Sequence, residues 1–355
     1  MRHTSSLKSA AFVPLPHGRG SVAAALGGVA VGLALATLCA CGRYADFTLP
    51  APGPAENINY KVSAVSPPVL GRGAPGAWDS SDVLNPSVVV WQGAFLNLYS
   101  GFDGHTWRTG AATSPDGVRW EKSGPVLAPG PAPWEGDYIA ANGAALVAGN
   151  RVLYWYQAGR PPQIGLAESG DGRAWWKHTV PVLATGPRGS FDERGVADPD
   201  VVRFGDSLYL FYLGQDRASR QTIGLARSQD GVMWTKLRAN PVLEPGGAGE
   251  FDERGVGEPA VWAAHGWYWM LYTGRDAKEQ RRIGLAKSRD GVNWTRLGVI
   301  FAGGEPWNRE VVCDASVLQE GAAIGVWYGG GDVARPDERI DGQIGEFTLT
   351  AERGQ

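Results

Sequence analysis

Cysteine, charge and helix-forming runs are what this sequence has least of. Only 3 of its 355 residues are Cys, and 19% are charged. Cys39 and Cys41 lie close together near the N-terminus, and Cys313 stands alone. That spacing excludes a disulfide framework and a Cys-based zinc site. The formal net charge is −3 and no basic stripe alternates with aromatics. Nucleic acid is therefore excluded as a partner, because phosphate neutralisation needs clustered Lys and Arg. Against these shortages stand 51 Gly, 24 Pro and 15 Trp. Gly and Pro cost a helix interior about 1 and 3 kcal/mol each, so their abundance rules out a helix-rich fold. A hydrophobic fraction of 43% supports a sizeable core and excludes wholesale disorder. The composition predicts strands and turns.

The first forty residues read as an address. Arg2, His3, Lys8, His17 and Arg19 form a basic leader, and the run from Ser21 to Leu38 holds only Ser, Val, Ala, Leu, Gly and Thr. This is the layout of an export signal. Its end, Leu38-Cys39-Ala40-Cys41-Gly42, resembles a bacterial lipoprotein signal, which implies cleavage after Ala40 and lipidation of Cys41. The alternative is an uncleaved transmembrane anchor, since the run is about long enough to span. Either reading puts the rest of the chain outside the cytoplasm, in the bacterial cell envelope. The expected organisation is a signal peptide over residues 1–40, a lipidated tether over 41–57 and one domain over 58–350.

That domain is built from repeats. A short aromatic strand ending in Tyr and small residues recurs at Tyr99, Tyr156, Tyr212, Tyr272 and Tyr328. A second strand of the type Ile-Gly-Leu-Ala follows at Ile164, Ile223 and Ile283, and then a turn, Ser-x-Asp-Gly-x-x-Trp. The turn occurs at Asp116, Asp171, Asp230 and Asp290, and Asp-Gly between strands is a hairpin signal because Gly takes positive φ freely. Its repetition marks these Asp residues as structural, and the repetition of Asp103, Asp216, Asp276 and Asp332 four residues after four of the Tyr favours the same reading. Units close with Pro-Val-Leu at Pro125, Pro181 and Pro241; the last lacks this piece, and Tyr60 to Leu70 carries it at the other end of the chain. The pattern predicts an all-β, five-bladed β-propeller with four-stranded blades, the last closed by the N-terminal strand.

Fourteen residues before each Tyr stands a polar residue: Asn85, Asn142, Asp198, Glu258 and Asp314. Each opens a first strand, which in a propeller lines the central channel, so the five should converge at one mouth of the axis. From about Tyr60 to Leu349 the chain resembles the propeller of glycoside hydrolase families 43 and 32. The resemblance implies that Asp198, in Val-Ala-Asp-Pro-Asp, orients and tunes the acid, and that Glu258, in Val-Gly-Glu-Pro, is the general acid. The first-blade position, where those families hold an Asp base or nucleophile, is Asn85, and an amide can neither take a proton nor attack an anomeric carbon. The second role falls to Asp314, to Asp82, or is absent.

Arg194 and Arg254, in the twin Phe-Asp-Glu-Arg-Gly-Val segments, either clamp substrate hydroxyls, a carboxylate or phosphate, or pair with nearby carboxylates. Trp107 breaks the repeat and is a candidate stacking platform for a sugar, or a cover for the first blade. His105 and His265 are isolated, so no metal or other cofactor is expected. The leading expectation is a lipid-anchored, monomeric glycoside hydrolase acting on oligo- or polysaccharides. A non-catalytic glycan-binding lipoprotein and a glycoside phosphorylase-like enzyme are the alternatives; the latter needs no outside base, because phosphate is itself the nucleophile.

Overall fold

The computed structural model describes residues 43–63, 67–321, 323–336 and 338–354. The expected export signal and Cys41 lie outside the described residues. Two strands, β1 (Tyr44–Ala45) and β2 (Ile58–Ser63), precede the repeats. The first sheet is β3 (Asp82–Trp91), β4 (Ala94–Phe102), β5 (Trp107–Ser114) and β6 (Glu121–Leu127). The second is β7 (Ile139–Ala148), β8 (Arg151–Ala158), β9 (Gln163–Ser169) and β10 (Trp176–Lys177). The third is β11 (Gly195–Phe204), β12 (Ser207–Gln215), β13 (Gln221–Ser228) and β14 (Thr235–Leu237). The fourth is β15 (Gly255–Ala264), β16 (Trp267–Arg275), β17 (Arg281–Ser288) and β18 (Trp294–Phe301). The fifth is β19 (Val311–Glu320), β20 (Ala323–Gly331) and β21 (Gln343–Arg353), completed by β2.

Each sheet is an antiparallel meander, and the all-β propeller expectation is met. The chain ends meet as the split repeat required: β2 pairs with β21 from Ile58↔Arg353 to Ser63↔Thr348, and Leu70 bridges Ile344. The fifth sheet in turn packs on the first. Trp327 donates its indole N–H to the Gly117 carbonyl at 2.7 Å, as Trp155 of the second sheet does to Gly231 of the third at 2.8 Å. Inner strands are linked too, with Val88 N–H donating to Ser316 Oγ at 3.0 Å and Ala145 N–H to Ser87 Oγ at 2.7 Å.

The repeated Tyr is a lock. Its ring is buried, and in the third sheet the Tyr212 hydroxyl meets Asp192 at 3.1 Å, while Lys236 from the outer strand reaches the same carboxylate at 2.5 Å. Asp79 with Tyr99 and Lys122, and Glu135 with Tyr156 and Lys177, repeat the arrangement. Phe191 lies so close over Gly214 that an added Cβ there would sit 2.3 Å from its ring, which explains the small residue two places after the Tyr. The Asp-Gly turns are structural as well. Asp230 Oδ1 accepts from the amides of Val232 and Met233, and Trp234 donates to the Gly231 carbonyl.

Residues 43–57, a tether by composition, are bonded along the domain. Tyr44 and Ala45 pair in parallel with Lys236 and Leu237 of β14. Leu49 is buried against Gly291, and the Leu49 amide donates to the Asp290 carbonyl at 2.8 Å. Tyr268 donates to the Pro50 carbonyl at 2.6 Å, and Glu56 donates its amide to His265. Phe47 and Leu49 supply apolar surface that this stretch buries on the third and fourth sheets.

Candidate active site

Every inner strand carries the same defect at the same place. The antiparallel register slips at Leu84/Ser87, Ala141/Ala144, Ala197/Asp200, Gly257/Ala260 and Cys313/Ser316. Inside each slip the first residue is left-handed: Asn85 at φ 47°, Asn142 at 48°, Asp198 at 44°, Glu258 at 51° and Asp314 at 55°. A non-glycine residue in that region costs about 1–2 kcal/mol. Five such bulges at equivalent positions turn five polar side chains out of the sheets and into the axis. Pro86, Pro199 and Pro259 follow three of them, where the ladder is interrupted and no amide donor is needed.

The five residues form the floor of a cavity of about 520 Å³. Its walls include Trp107, Tyr138, Gln157, Arg160, Gln215, Gln221, Thr273, Arg275, Arg281 and Glu338. Around the floor, Ser100 donates to Asn142 Oδ1 at 3.0 Å and Asn142 Nδ2 donates to Asp198 Oδ1 at 3.1 Å. Asp314 donates its amide to Glu258 Oε2 at 3.2 Å. A carboxylate oxygen of each of these two residues and the Cys313 sulfur all lie within 4.8 Å of one another. Inverting glycosidases hold their carboxyls about 6.5–9.5 Å apart, so Glu258 and Asp314 stand too close to admit a water between them.

Electrostatics separate the carboxyls. Burial, then the Glu258 charge, pushes Asp198 up to about 7, with Asn142 and Arg281 opposing. Burial, then Glu258 and Asp198, pushes Asp314 well above the ordinary carboxylate value, which favours its protonated form. Burial, then Asp314 and Glu258, pushes the Cys313 thiol up as well, which removes it as a nucleophile. Arg281 is the buried cation of this group; its Nη2 donates to the Arg335 and Pro336 carbonyls at 3.0 and 2.6 Å.

Three expectations are corrected or narrowed by these positions. Arg194 and Arg254 are exposed and do not line the cavity; Arg194 borders a separate depression with Arg188, Glu193 and Arg217. Asp82 is buried, does not line the cavity and spends its oxygens on the amides of Arg339, Ile340 and Gly342, so it is no base. Trp107 does line the cavity but is 7% exposed, being stacked on Phe102 at 4.6 Å, which leaves little face for a sugar.

The cavity arginines went unread in the sequence, although a signal was there. The third and fourth repeats are nearly identical, yet Gln215 and Gln221 of one become Arg275 and Arg281 of the other, and these are cross-strand neighbours. Arg160 has a different setting, 4.1 Å over the Tyr138 ring, whose hydroxyl donates to Glu338 at 2.7 Å.

Known proteins resemble this chain at two levels. An uncharacterized protein of Mycobacterium tuberculosis is 27% identical over 231 residues, which is 59% of this chain and 75% of that protein. Among solved structures, a glycosyl hydrolase from Bacteroides ovatus superposes with a TM-score of 0.67 at 18% identity, covering 85% of this chain and 96% of that one. A structure described by the statement that the GH130 family of mannoside phosphorylases contains glycoside hydrolases targeting β-1,2 mannosidic linkages in Candida mannan gives a TM-score of 0.66 at 18% identity, covering 86% and 96%. Residues 99–313 match the family described as "Glycosyl hydrolases family 32 N-terminal domain", a span holding three of the five axial residues, and the chain belongs to that family.

Proposed function

We propose that this protein is a glycosidase that cleaves oligo- or polysaccharides in the axial cavity, on the outer side of the cytoplasmic membrane and anchored there through Cys41. The observation that carries the reading is the floor itself. Three carboxyl groups on adjacent inner strands, Asp198, Glu258 and Asp314, are aimed into one cavity by left-handed bulges. Glycoside cleavage needs a proton for the leaving oxygen and a second group acting on the anomeric carbon or its water. Glu258, which lines the cavity, takes up a proton from solvent and delivers it to the leaving oxygen, and the neighbouring Asp314, pushed toward its protonated form, stands beside it as a neutral partner. That protonated state suits a donor and not the base expected from the sequence. Asp198, near 7 and hydrogen-bonded to Asn142, takes the accepting role and draws the proton from the attacking water. Asn85 then serves as a substrate contact beside Asn142.

One observation favours a second reading, phosphorolysis. Arg160, Arg275 and Arg281 line the same cavity, and guanidinium groups are suited to hold a phosphate whose oxygen replaces the water. The test is turnover by the protein on aryl glycosides and on plant and microbial polysaccharides, with and without phosphate. Phosphate-independent release of reducing sugar, lost in Glu258→Gln, supports hydrolysis; strict dependence on phosphate supports the second reading. Glycan binding without turnover under either condition overturns both and leaves a binding protein.

A further inference from the structure

We propose that the face of the domain carrying the Asp-Gly turns rests on the lipid bilayer, so that the cavity opens away from the membrane. The proposal rests on lipidation at Cys41, read above from the sequence. The geometry points to it through the strap at residues 43–57.

Strand ends define two faces. Gln221, at the start of β13, lines the cavity, whereas Ser228, at its end, begins the third Asp-Gly turn. Seven steps of strand separate them, roughly 23 Å. β14 returns antiparallel, with Arg227↔Thr235 and Ala226↔Lys236. β1 runs parallel to β14 and its first residue, Tyr44, pairs with Lys236, so the chain enters the domain at the turn end and not at the cavity end. The Arg43 carbonyl accepts from the Lys236 amide at 2.8 Å, which fixes the entry point. Beyond it the strap stays on that face. Leu49 seats against the fourth Asp-Gly turn at Asp290 and Gly291, and Arg289 Nη2 donates to the Gly53 carbonyl at 2.9 Å.

The length of the leash gives this entry point its consequence. If residues 43–57 were free, a chain of that length would let the domain tumble in any orientation. With Arg43 bonded down, only Gly42 separates the lipid-bearing residue from the fold, and two residues reach at most about 7 Å. The acyl chains therefore pull the turn end of the third sheet into the interface. Large apolar side chains stand exposed at this end: Met233 at 46% and Val118 at 45% in two of the turns, and Trp176 at 64% just after a third. Such groups are costly in water and favourable at a lipid interface, where Trp is especially suited.

The full-length chain, purified from membranes and reconstituted in vesicles of phosphatidylethanolamine and phosphatidylglycerol, would carry one fluorophore at Met233→Cys, Val118→Cys or Ala218→Cys. Ala218 is exposed on the loop between β12 and β13, at the cavity end. Spin-labelled lipids are expected to quench the Met233 and Val118 labels at least threefold more than the Ala218 label. Equal quenching at the three positions, or strongest quenching at Ala218, in a vesicle-bound chain would overturn the orientation while leaving the anchor intact. A Cys41→Ser chain that binds vesicles as well as the native chain would sink the anchor reading and this proposal with it. Unchanged kinetics in the labelled variants would show that the fold is intact.

Discussion

The Asp314 amide points at Glu258 Oε2 across 3.2 Å, and burial beside it pushes the Asp314 carboxyl toward its protonated form. A left-handed backbone at both residues brings two acids from adjacent inner strands into contact. The pair predicts unequal effects of neutralising each member. Glu258→Gln removes the proton that reaches the leaving oxygen and should lower kcat/KM by about 10²–10⁴-fold. Asp314→Asn leaves a neutral group neutral and should cost far less, about tenfold. Steady-state kinetics on a turned-over aryl glycoside decide the matter, and equal losses would refute the assignment of the donor.

The pH profile follows from Asp198. Its carboxyl titrates near 7, because burial and the Glu258 charge favour its protonated form. A base must be ionised, so kcat/KM should rise with pH through an apparent pKa of about 7 on the acid limb. Asp198→Ala should abolish that limb along with most of the activity. Asp198→Glu, which keeps a titratable group, should retain a shifted limb. A limb unchanged in Asp198→Glu would assign it to another group.

Stability carries its own pH signature at Asp200. Burial pushes this carboxyl up to about 7, against the Val261 amide, which donates to it at 2.8 Å. Between the unfolded value near 3.9 and about 7, the folded chain binds a proton that the unfolded chain has lost, so stability falls as pH rises through that window. Asp200→Asn keeps an acceptor for Val261 and has no charge to bury. It should match the native protein at pH 4 and exceed it at pH 8 by about 1–3 kcal/mol, read from urea midpoints. A variant less stable at pH 8 would contradict this.

The locks beneath the repeated Tyr are worth more than the turns. In Asp192→Ala the buried ammonium of Lys236 loses its carboxylate and the Tyr212 hydroxyl its acceptor. Removing one partner of a buried pair costs about 3–5 kcal/mol. Asp230→Ala strips only the acceptor for two exposed turn amides and should cost about 1 kcal/mol. Thermal melts of the two variants should therefore differ clearly, with Asp192→Ala the lower.

The fold was legible because its repeat is written in residues that the backbone demands. The Asp-Gly turns and the small residues after each Tyr are such residues, and the closing piece displaced to the N-terminal end finds its place as β2 on β21 and the Leu70 bridge to Ile344. The ring was legible for the same reason, as a position that holds its place while its chemistry varies. What could not be read was which side chains reach the cavity from strand ends and loops. Arg194 and Arg254 drew attention by their repetition, yet repetition marked a shared loop: both residues are exposed. Protonation states were equally hidden. Asp198, Glu258 and Asp314 look alike in one dimension, and the burial and neighbouring charges that raise Asp198 and Asp314 exist only once the strands are closed.

The arginines provide the last test, because the protein contains its own control. Arg275 lines the cavity and faces Arg281 across the β16–β17 ladder, and at the equivalent places the third sheet has Gln215 and Gln221. Two guanidinium groups opposite each other repel, and such a pair persists where anions offset it. Arg281 has Glu258 beside it, and Arg275 has Glu279 at 3.4 Å. The sheet tolerates Gln at the Arg275 position, as Gln215 demonstrates, so Arg275→Gln should leave the melting temperature within about 2 °C. If Arg275 binds substrate or phosphate, its loss should raise KM for that ligand about tenfold or more with kcat changed much less, since binding common to ground and transition states is what disappears. Arg194→Ala, outside the cavity, should change neither constant beyond twofold. Under phosphorolysis the rise in KM would appear for phosphate, and under hydrolysis for the glycan. A KM effect in Arg194→Ala with none in Arg275→Gln would move the anion contact back to the loop that the sequence first suggested.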